Sequence, residues 1–327
     1  MLRFVQSLRL SNSLKAPELS AAAAEIYRQC FAELAATAGL LERHMSNGDQ
    51  QQQQQQHQQR SALLHCFDAQ PSNQLESIAP SADDVWIFGY GSLVWKADFP
   101  YIDRRRGFVC GYKRRFYQHS IDHRGVPEKP GRVVTLLPGD MAADRVYGVA
   151  YRIAASQKSQ VLDHLDYREK NGYERCNLEF HEYPAATMPI EVIMYVATQA
   201  NDSYAGHVWQ VPCIAKQIFT SAGPSGPNRE YLFNLSIAMR ELFPDAVDEH
   251  LTELVDCVQR YIESEEPVLL ERALSAEIAS ILSECLAKDA TVPLEEIAQR
   301  LEALRARCQR PGWREKLLNQ ELQGQIS

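Results

Sequence analysis

The chain has 327 residues, of which 45% are hydrophobic and 23% are charged, a composition typical of a soluble globular protein with one large domain or two small ones. No apolar run approaches the roughly 18 residues that a membrane-spanning helix needs. The formal net charge of −8 argues against general affinity for nucleic acid or for an anionic membrane surface.

The N-terminal region predicts an extension over 1–84. Residues 1–19 contain Arg, Lys, Ser and Leu but no acidic residue before Glu18, which is typical of a mitochondrial transit peptide and also of a disordered start. An Ala-rich peripheral helix is expected after Pro17, followed by a glutamine tract at 50–59 that cannot bury apolar surface and therefore predicts a linker or an interaction tail.

The eight cysteines lie at long intervals, with no C-x-x-C pair and no histidine spacing typical of zinc. We therefore expect free thiols, no metal and a cytoplasmic protein, with mitochondrial targeting by the N-terminus as the alternative.

From residue 85 the chain predicts short strands, separated by Gly, Pro and Asp turn signals. The segments are VWIF, GFVCGY, RRFYQHS, RVVTLL, VYGVAYRI, CNLEFHEY and EVIMYVAT. A single helix is expected within them at about 156–167, and helices follow at 214–222, 229–243 and 247–262. Strands followed by helices indicate an α+β domain, which we place at 85–262. Two further amphipathic helices, one with Leu270 and Leu274 and the other with Leu301 and Leu304, predict a helical C-terminal extension over 263–327.

Three segments contain residues suited to chemistry. A glycine-rich turn, Phe88-Gly89-Tyr90-Gly91-Ser92-Leu93, follows an apolar strand and could turn backbone N–H groups toward a polarised carbonyl or an anion. Taken alone, such a segment is more often an ordinary turn, and it lacks the residues of a phosphate or dinucleotide loop.

The second segment is Asp166-Tyr167-Arg168-Glu169-Lys170-Asn171-Gly172-Tyr173, at the end of the helix predicted within the strands. Glu169 is a candidate for proton transfer, and the alternative is a solvated charge cluster at a helix end.

The third segment, 114–125, lies in a basic stretch from Asp103 to Arg132 that has nine basic and three acidic residues and suits a small anionic ligand. Its His119, Ser120, Asp122 and His123 fit neither a metal site nor a serine triad, so they orient a substrate or are structural.

Taken in order, five segments resemble the ChaC family of γ-glutamyl cyclotransferases in both sequence and spacing. They are FGYGSLVWKADFPY, GYKRRFYQHSIDHRGVPEKPGRVVTL, VYGVAYRI, DYREKNGYE and GPSGPNREYLFNL. The resemblance covers 85–262 and leaves both extensions unexplained.

The resemblance implies a closed, mixed β-barrel with peripheral helices, and cleavage of glutathione to 5-oxoproline and cysteinylglycine without a cofactor. Tyr90, Gly91, Ser92 and Leu93 match the family's substrate loop, and Glu169 matches its catalytic glutamate. We therefore predict Phe88–Leu93 as the substrate-binding residues. Asn171 stands where relatives often have glycine, and we expect it to be tolerated because Gly172 remains.

This chemistry suits the residues. The substrate's own α-amine attacks its γ-carbonyl, so no serine or cysteine nucleophile is required. Glu169 would take the amine proton and return it to the leaving nitrogen, a role that partial burial favours by raising its pKa. Arg168 and Lys170 would oppose that shift, so either they point away from Glu169 or burial outweighs them. Loop N–H groups would stabilise the tetrahedral oxyanion.

Other functions remain open: a cyclotransferase for other γ-glutamyl amino acids or amines, or a catalytically silent adaptor that binds through the glutamine tract and terminal helices. The acidic chain disfavours nucleic acid as a partner, and no membrane partner is expected. The sequence leaves the oligomeric state open.

Overall fold

The computed structural model describes residue 32 and residues 81–168, 173–184, 188–206, 210–287, 294–310 and 312–324. The predicted N-terminal helix, apart from residue 32, the glutamine tract and Glu169 lie outside these ranges. The chain divides into two compact units, one of Asp49–Arg260 and the other of Met1–Gly48 with Tyr261–Ser327.

Each strand predicted from the sequence is present in the first unit. The described strands are β1 (Val85–Gly89), β2 (Asp103–Cys110), β3 (Tyr112–Ser120), β4 (Gly131–Pro138), β5 (Arg145–Ile153), β6 (Tyr173–Glu182), β7 (Ile190–Ala197), β8 (Ala222–Gly223) and β9 (Gly226–Pro227).

Five of these strands close into a barrel in the order β1-β5-β2-β6-β7. Every neighbouring pair is antiparallel except β1 and β7, which run parallel and close the barrel. Strands β3 and β4 form a separate two-stranded sheet, as do β8 and β9. The predicted α+β fold with a closed, mixed barrel is confirmed.

The barrel interior is organised around two aromatic rings that lie over two glycines. Phe88 on β1 and Phe180 on β6 are fully buried, with ring centroids 5.7 Å apart. Gly107 and Gly148 are register partners on β2 and β5. A Cβ at Gly148 would lie 2.8 Å from two ring atoms of Phe88, and one at Gly107 would overlap the ring of Phe180. The two glycines therefore make the space that the rings fill, and burying each ring stabilises the fold by roughly 2 to 3 kcal/mol.

Six α-helices are described. They are α1 (Lys158–Arg168), α2 (Val211–Thr220), α3 (Asn228–Leu242), α4 (Glu249–Ala287), α5 (Leu294–Cys308) and α6 (Trp313–Gly324). None of the described helices is long and apolar enough to cross a bilayer.

The prediction of separate helices at 247–262 and around Leu270 is wrong, because α4 is continuous through both. Pro267 lies inside α4 and cannot donate a backbone hydrogen bond, yet the helix does not end there. Buried leucines continue the apolar pattern beyond the proline, at Leu269, Leu270 and Leu274. Their burial outweighs the missing bond.

The second unit contains the later turns of α4 with α5 and α6, and its core is made of leucines. Leu270 and Leu274 of α4, Leu301 of α5 and Leu318 of α6 are fully buried. Ion pairs surround this core, including Arg300 with Glu284 at 2.9 Å and Arg307 with Glu277 at 2.6 Å. The sequence pattern does not predict α6, whose buried side chains, Leu317, Leu318 and Leu322, are few.

Helix α3 is tied to strand β4 by a buried amide. Asn228 Oδ1 accepts the backbone N–H of Arg132 at 2.6 Å, and Asn228 Nδ2 donates to the Arg132 carbonyl at 2.8 Å. The Asn228 amide thereby makes the two backbone hydrogen bonds that a neighbouring strand would otherwise make with Arg132 at the edge of the sheet of β3 and β4. Both residues are fully buried, so these two bonds satisfy backbone groups that water cannot reach.

A histidine of α4 accepts a hydrogen bond from a backbone N–H group in a β-bulge of strand β3. The pairing with β4 shifts register between Arg115 and Gln118, and the N–H of Phe116 donates to His250 Nε2 at 3.2 Å instead. Burial, with a smaller contribution from Arg115, lowers the pKa of His250 to about 4, and Asp248 opposes the shift. His250 is therefore neutral at pH 7, as an acceptor must be.

We predict that Gly148→Ala destabilises the first unit by about 2 to 4 kcal/mol, because the added methyl group overlaps the Phe88 ring and the Gly89 carbonyl. Chemical denaturation measures the change. Gly139→Ala is the matched control, since its Cβ would meet only the Asp144 side chain on an exposed turn and should cost below about 1 kcal/mol. Equal losses in the two variants would contradict this account of the barrel interior.

We also predict that His250 makes the protein acid-sensitive. In the unfolded chain its pKa is near 6.5, and the folded pKa is about 4, so the unfolded state binds the proton first as pH falls. Stability is fully present above pH 6.5 and decreases toward pH 4, by about 3 kcal/mol from this group. His250→Gln keeps an acceptor for Phe116 and should remove that part of the loss in denaturation curves across this range. A control, His123→Gln at an exposed site, should retain it; an unchanged pH dependence in His250→Gln would contradict the prediction.

Candidate active site

One cleft in the first unit, of about 650 Å³, gathers most of the side chains singled out from the sequence. All six residues of the predicted substrate loop line it: Phe88, Gly89, Tyr90, Gly91, Ser92 and Leu93. The loop leaves the end of β1 and enters a short 3₁₀ turn at Ser92–Val94. Because β1 is paired on both sides within the barrel, the start of the loop has a fixed position.

The two glycines of the loop are required by packing within the protein. A Cβ at Gly89 would overlap the Leu93 side chain, where the turn folds back on the strand end. A Cβ at Gly91 would lie 2.9 Å from Tyr231 Oη and 3.1 Å from Val134 Cγ2. The Tyr231 ring cannot easily move away, because it packs edge-on against Trp95 with centroids 5.3 Å apart. The sequence analysis explained the two glycines by close approach of the backbone to a ligand and did not foresee that packing within the protein also requires them.

Hydroxyl groups hold the loop to the barrel from both sides. Tyr90 is 6% exposed, and its hydroxyl donates to the Tyr195 carbonyl on β7 at 2.8 Å. The Tyr151 hydroxyl on β5 donates to the Leu93 carbonyl at 2.7 Å. Within the turn, the N–H of Val94 donates to the Gly91 carbonyl at 3.0 Å. The loop backbone is thus fixed by neighbouring strands before any ligand binds.

A second part of the cleft lining, which we call the β3 wall, comes from the end of strand β3 and the turn after it. His119, Ser120, Asp122, His123 and Arg124 all line the cleft. The structure therefore brings the third candidate segment to the same cleft as the loop, although these residues were not among the predicted site residues. The twenty residues 94–113 separate the two segments in sequence, so spacing alone could not reveal that they meet.

His119 is neutral at pH 7. Burial lowers its pKa, Arg132 lowers it further, and a hydrogen bond to the Gly131 carbonyl opposes the shift. Gln217 Nε2 lies 3.3 Å from His119 Nδ1, and Gln217 Oε1 accepts from Arg132 Nε at 2.7 Å. The amide is oriented by the arginine and presents its NH₂ group to the imidazole, so His119 Nδ1 is an acceptor.

One of the basic residues of the stretch from Asp103 to Arg132 lines the cleft, and others have structural roles elsewhere in the unit. Of its arginines and lysines, only Arg124 lines the cleft, and its Nη1 also donates to the Pro227 carbonyl and to Glu230 Oε2, each at 2.9 Å. Arg114 is instead buried, with Nη1 3.1 Å from Asp248 Oδ2, so its role is structural. Lys96, from outside the stretch, adds a second cation to the cleft lining.

Glu169 lies outside the described residues, so its distance from the loop is not part of this structure. The cleft lining does include Leu165 on α1 and Tyr173 at the start of β6, which are four residues before and four residues after Glu169. His164 also lines it, with Nε2 3.5 Å from Asp98 Oδ2.

No group of three or more His, Cys, Asp or Glu side chains with metal-binding geometry occurs among the described residues. The described lining residues offer hydrogen-bonding groups, groups that can transfer protons, and cations. Aromatic side chains complete the wall, namely Trp95, Tyr173, Tyr195 and Tyr231.

Comparison with known proteins shows that the part of the chain similar to them is the one that contains this cleft. The model of a family described as ChaC-like protein matches residues 85–261. The chain is 43% identical over 190 residues to human glutathione-specific gamma-glutamylcyclotransferase 1, an alignment that spans 58% of this chain and 84% of the human protein. It is also 43% identical over 190 residues to gamma-glutamylcyclotransferase 2-3 of Arabidopsis thaliana, spanning 56% of this chain and 92% of the plant protein.

A solved structure agrees with the sequence relatives. The crystal structure of a selenomethionine-labelled γ-glutamyl cyclotransferase specific to glutathione from yeast superposes with a TM-score of 0.51 at 30% identity. The superposition covers 54% of this chain and 96% of the yeast chain. The predicted type of barrel is therefore confirmed by a structural relative.

Proposed function

The chain belongs to the ChaC-like protein family, and we propose that it cleaves glutathione to 5-oxoproline and cysteinylglycine, with Glu169 as the proton-transfer group and Phe88–Leu93 as the substrate loop. The observation that carries the activity is the 43% identity to human glutathione-specific gamma-glutamylcyclotransferase 1 over 84% of that protein. We assign the activity to the domain at 85–262.

The reaction is an intramolecular acyl transfer. The α-amine of the γ-glutamyl group forms a bond to its own γ-carbonyl carbon, and the bond from that carbon to the cysteinyl nitrogen breaks. One proton leaves the attacking amine and one reaches the departing nitrogen, so neither water nor an enzyme nucleophile is consumed. The two reacting groups belong to one molecule, and holding them in contact supplies much of the rate enhancement.

We assign the proton transfer to Glu169. A carboxylate suits the task because it can accept the amine proton and then return it to the leaving nitrogen. The support from the fold is that Leu165 and Tyr173 bracket Glu169 in sequence and both line the cleft that holds the loop. Chain continuity thus limits how far this carboxylate can lie from the cleft.

The loop is assigned the role of holding the γ-glutamyl group and stabilising charge on its carbonyl oxygen. Tyr90 is unsuited to proton transfer, because its hydroxyl donates to the Tyr195 carbonyl. Backbone N–H groups of the loop are the better candidates for the oxyanion, since the strands on either side already fix their orientation.

The β3 wall is assigned to the carboxylates of glutathione. The tripeptide carries two carboxylates, and the cleft lining contains the cations Arg124 and Lys96 together with the side chain of His123. Arg124 and His123 belong to this wall, whereas Lys96 follows the loop, and its backbone N–H donates to the Ser92 carbonyl at 2.9 Å.

We predict that Glu169→Gln abolishes 5-oxoproline formation from glutathione, with kcat falling by roughly 10²- to 10⁴-fold. Binding of glutathione measured by calorimetry should persist, because the amide keeps the size of the carboxyl group. Glu179→Gln, the same change at an exposed position on β6, is the control and should keep wild-type turnover. Retained turnover in Glu169→Gln would remove this residue from the mechanism.

We further predict that Gly91→Ala lowers kcat/KM for glutathione by roughly 10- to 100-fold, since the methyl group must displace the loop from Tyr231. The double variant Gly91→Ala/Tyr231→Phe removes the oxygen atom at 2.9 Å and should recover part of the lost activity. Kinetics of the single and double variants test this. An additive loss in the double variant would show that the contact with Tyr231 is not what limits the loop.

A further inference from the structure

A cluster of three side chains connects the C-terminal end of α1 to strand β6, the two elements that flank Glu169 in sequence. Asp166 lies in the last turn of α1, three residues before Glu169, and Arg175 lies on β6, six residues after it. Arg175 Nε donates to Asp166 Oδ1 at 2.8 Å, and Arg175 Nη2 donates to Asp166 Oδ2. The pair is bidentate, which fixes both the distance and the relative orientation of the two groups.

Tyr195 on β7 completes the cluster. Its hydroxyl donates to Asp166 Oδ1 at 2.8 Å, and the Arg175 guanidinium lies 5.6 Å from the centre of its ring. Arg175 and Tyr195 are register partners on neighbouring strands, so the sheet holds them side by side. Asp166 is therefore bound from two strands of the barrel at once.

The same tyrosine holds the substrate loop. Its main-chain carbonyl accepts the hydroxyl of Tyr90 at 2.8 Å, while its side-chain hydroxyl reaches Asp166. Tyr195 is thus bonded to both components of the proposed active site: the loop through its backbone, and the end of the helix before Glu169 through its side chain.

Stability alone gives little reason for this arrangement. The side chains of Arg175 and Asp166 are 42% and 45% exposed, and ion pairs exposed to this degree contribute little to folding. What the cluster does supply is a fixed geometry between α1, β6, β7 and the loop. A group that must sit within hydrogen-bonding distance of a reacting amine benefits from such support.

We propose that Asp166 and Tyr195, together with Arg175, are positioning residues that fix the segment carrying Glu169 relative to the substrate loop. This rests on the proposed role of Glu169. The three side chains act through that carboxylate and do not take part in the chemistry. Their loss should therefore slow proton transfer while substrate binding through the loop and the β3 wall persists.

The test is steady-state kinetics on glutathione with Tyr195→Phe, Asp166→Ala and the double variant. Tyr195→Phe deletes one oxygen atom and leaves the carbonyl that holds Tyr90, so it tests the proposal even if Asp166→Ala is unfolded. We expect kcat to fall about 10-fold in each single variant with KM within about two-fold of wild type. The double variant should be no slower than Asp166→Ala, because both changes break the same contact.

Tyr183→Phe is the matched control, since that hydroxyl also donates to an aspartate, Asp245 Oδ2 at 2.8 Å, but does not line the cleft. It should keep wild-type kcat.

If Glu169→Gln is inactive while Tyr195→Phe and Asp166→Ala keep wild-type kcat, the positioning role alone is overturned. If Glu169→Gln retains turnover, the proposed function of Glu169 and the positioning role both fail. Additive losses that raise KM as much as they lower kcat would indicate general structural damage and would also overturn the proposal.

Discussion

The packing of the Phe88 and Phe180 rings against Gly148 and Gly107 is the constraint on which the rest of the structure depends. The rings fill the barrel only because two paired glycines leave room beneath them. Phe88 is also the first residue of the proposed substrate loop, so the packing that closes the barrel sets the origin of the loop. The core side chain that anchors β1 thus also lines the cleft.

The hydroxyls of Tyr90, Tyr151 and Tyr195 all serve to hold backbone or helix in place. This division of labour follows from the reaction. Because the substrate supplies its own nucleophile, the protein must mainly hold one molecule in a reactive conformation and move protons at one place. An active site of this kind needs rigid support more than it needs reactive side chains.

Much of this architecture could be predicted from sequence, and the failures have identifiable causes. Alternating apolar residues and turn signals predicted the strands, whereas the parallel closure of β1 on β7 depends on pairing between residues about a hundred positions apart. The sequence analysis divided helix α4 into two because it assigned the apolar residues before 262 and those from Leu270 onward to separate helices, although the apolar pattern continues through Pro267. The family resemblance predicted a site at the loop and not at the β3 wall, since His119 and Arg124 reach the cleft that the loop lines only through the fold. The glycines of the loop were assigned to a ligand when their closest contacts are Leu93 and Tyr231.

The central claim is that the protein breaks the γ-glutamyl bond by internal cyclisation. Its most direct test is incubation of the purified protein with glutathione in ¹⁸O-labelled water, with mass spectrometry of the products. The account predicts cysteinylglycine together with 5-oxoproline that contains no ¹⁸O, because the substrate's amine attacks the carbonyl and water takes no part. Glutamate carrying ¹⁸O in its γ-carboxyl group would mean that water is the nucleophile, and would contradict the account.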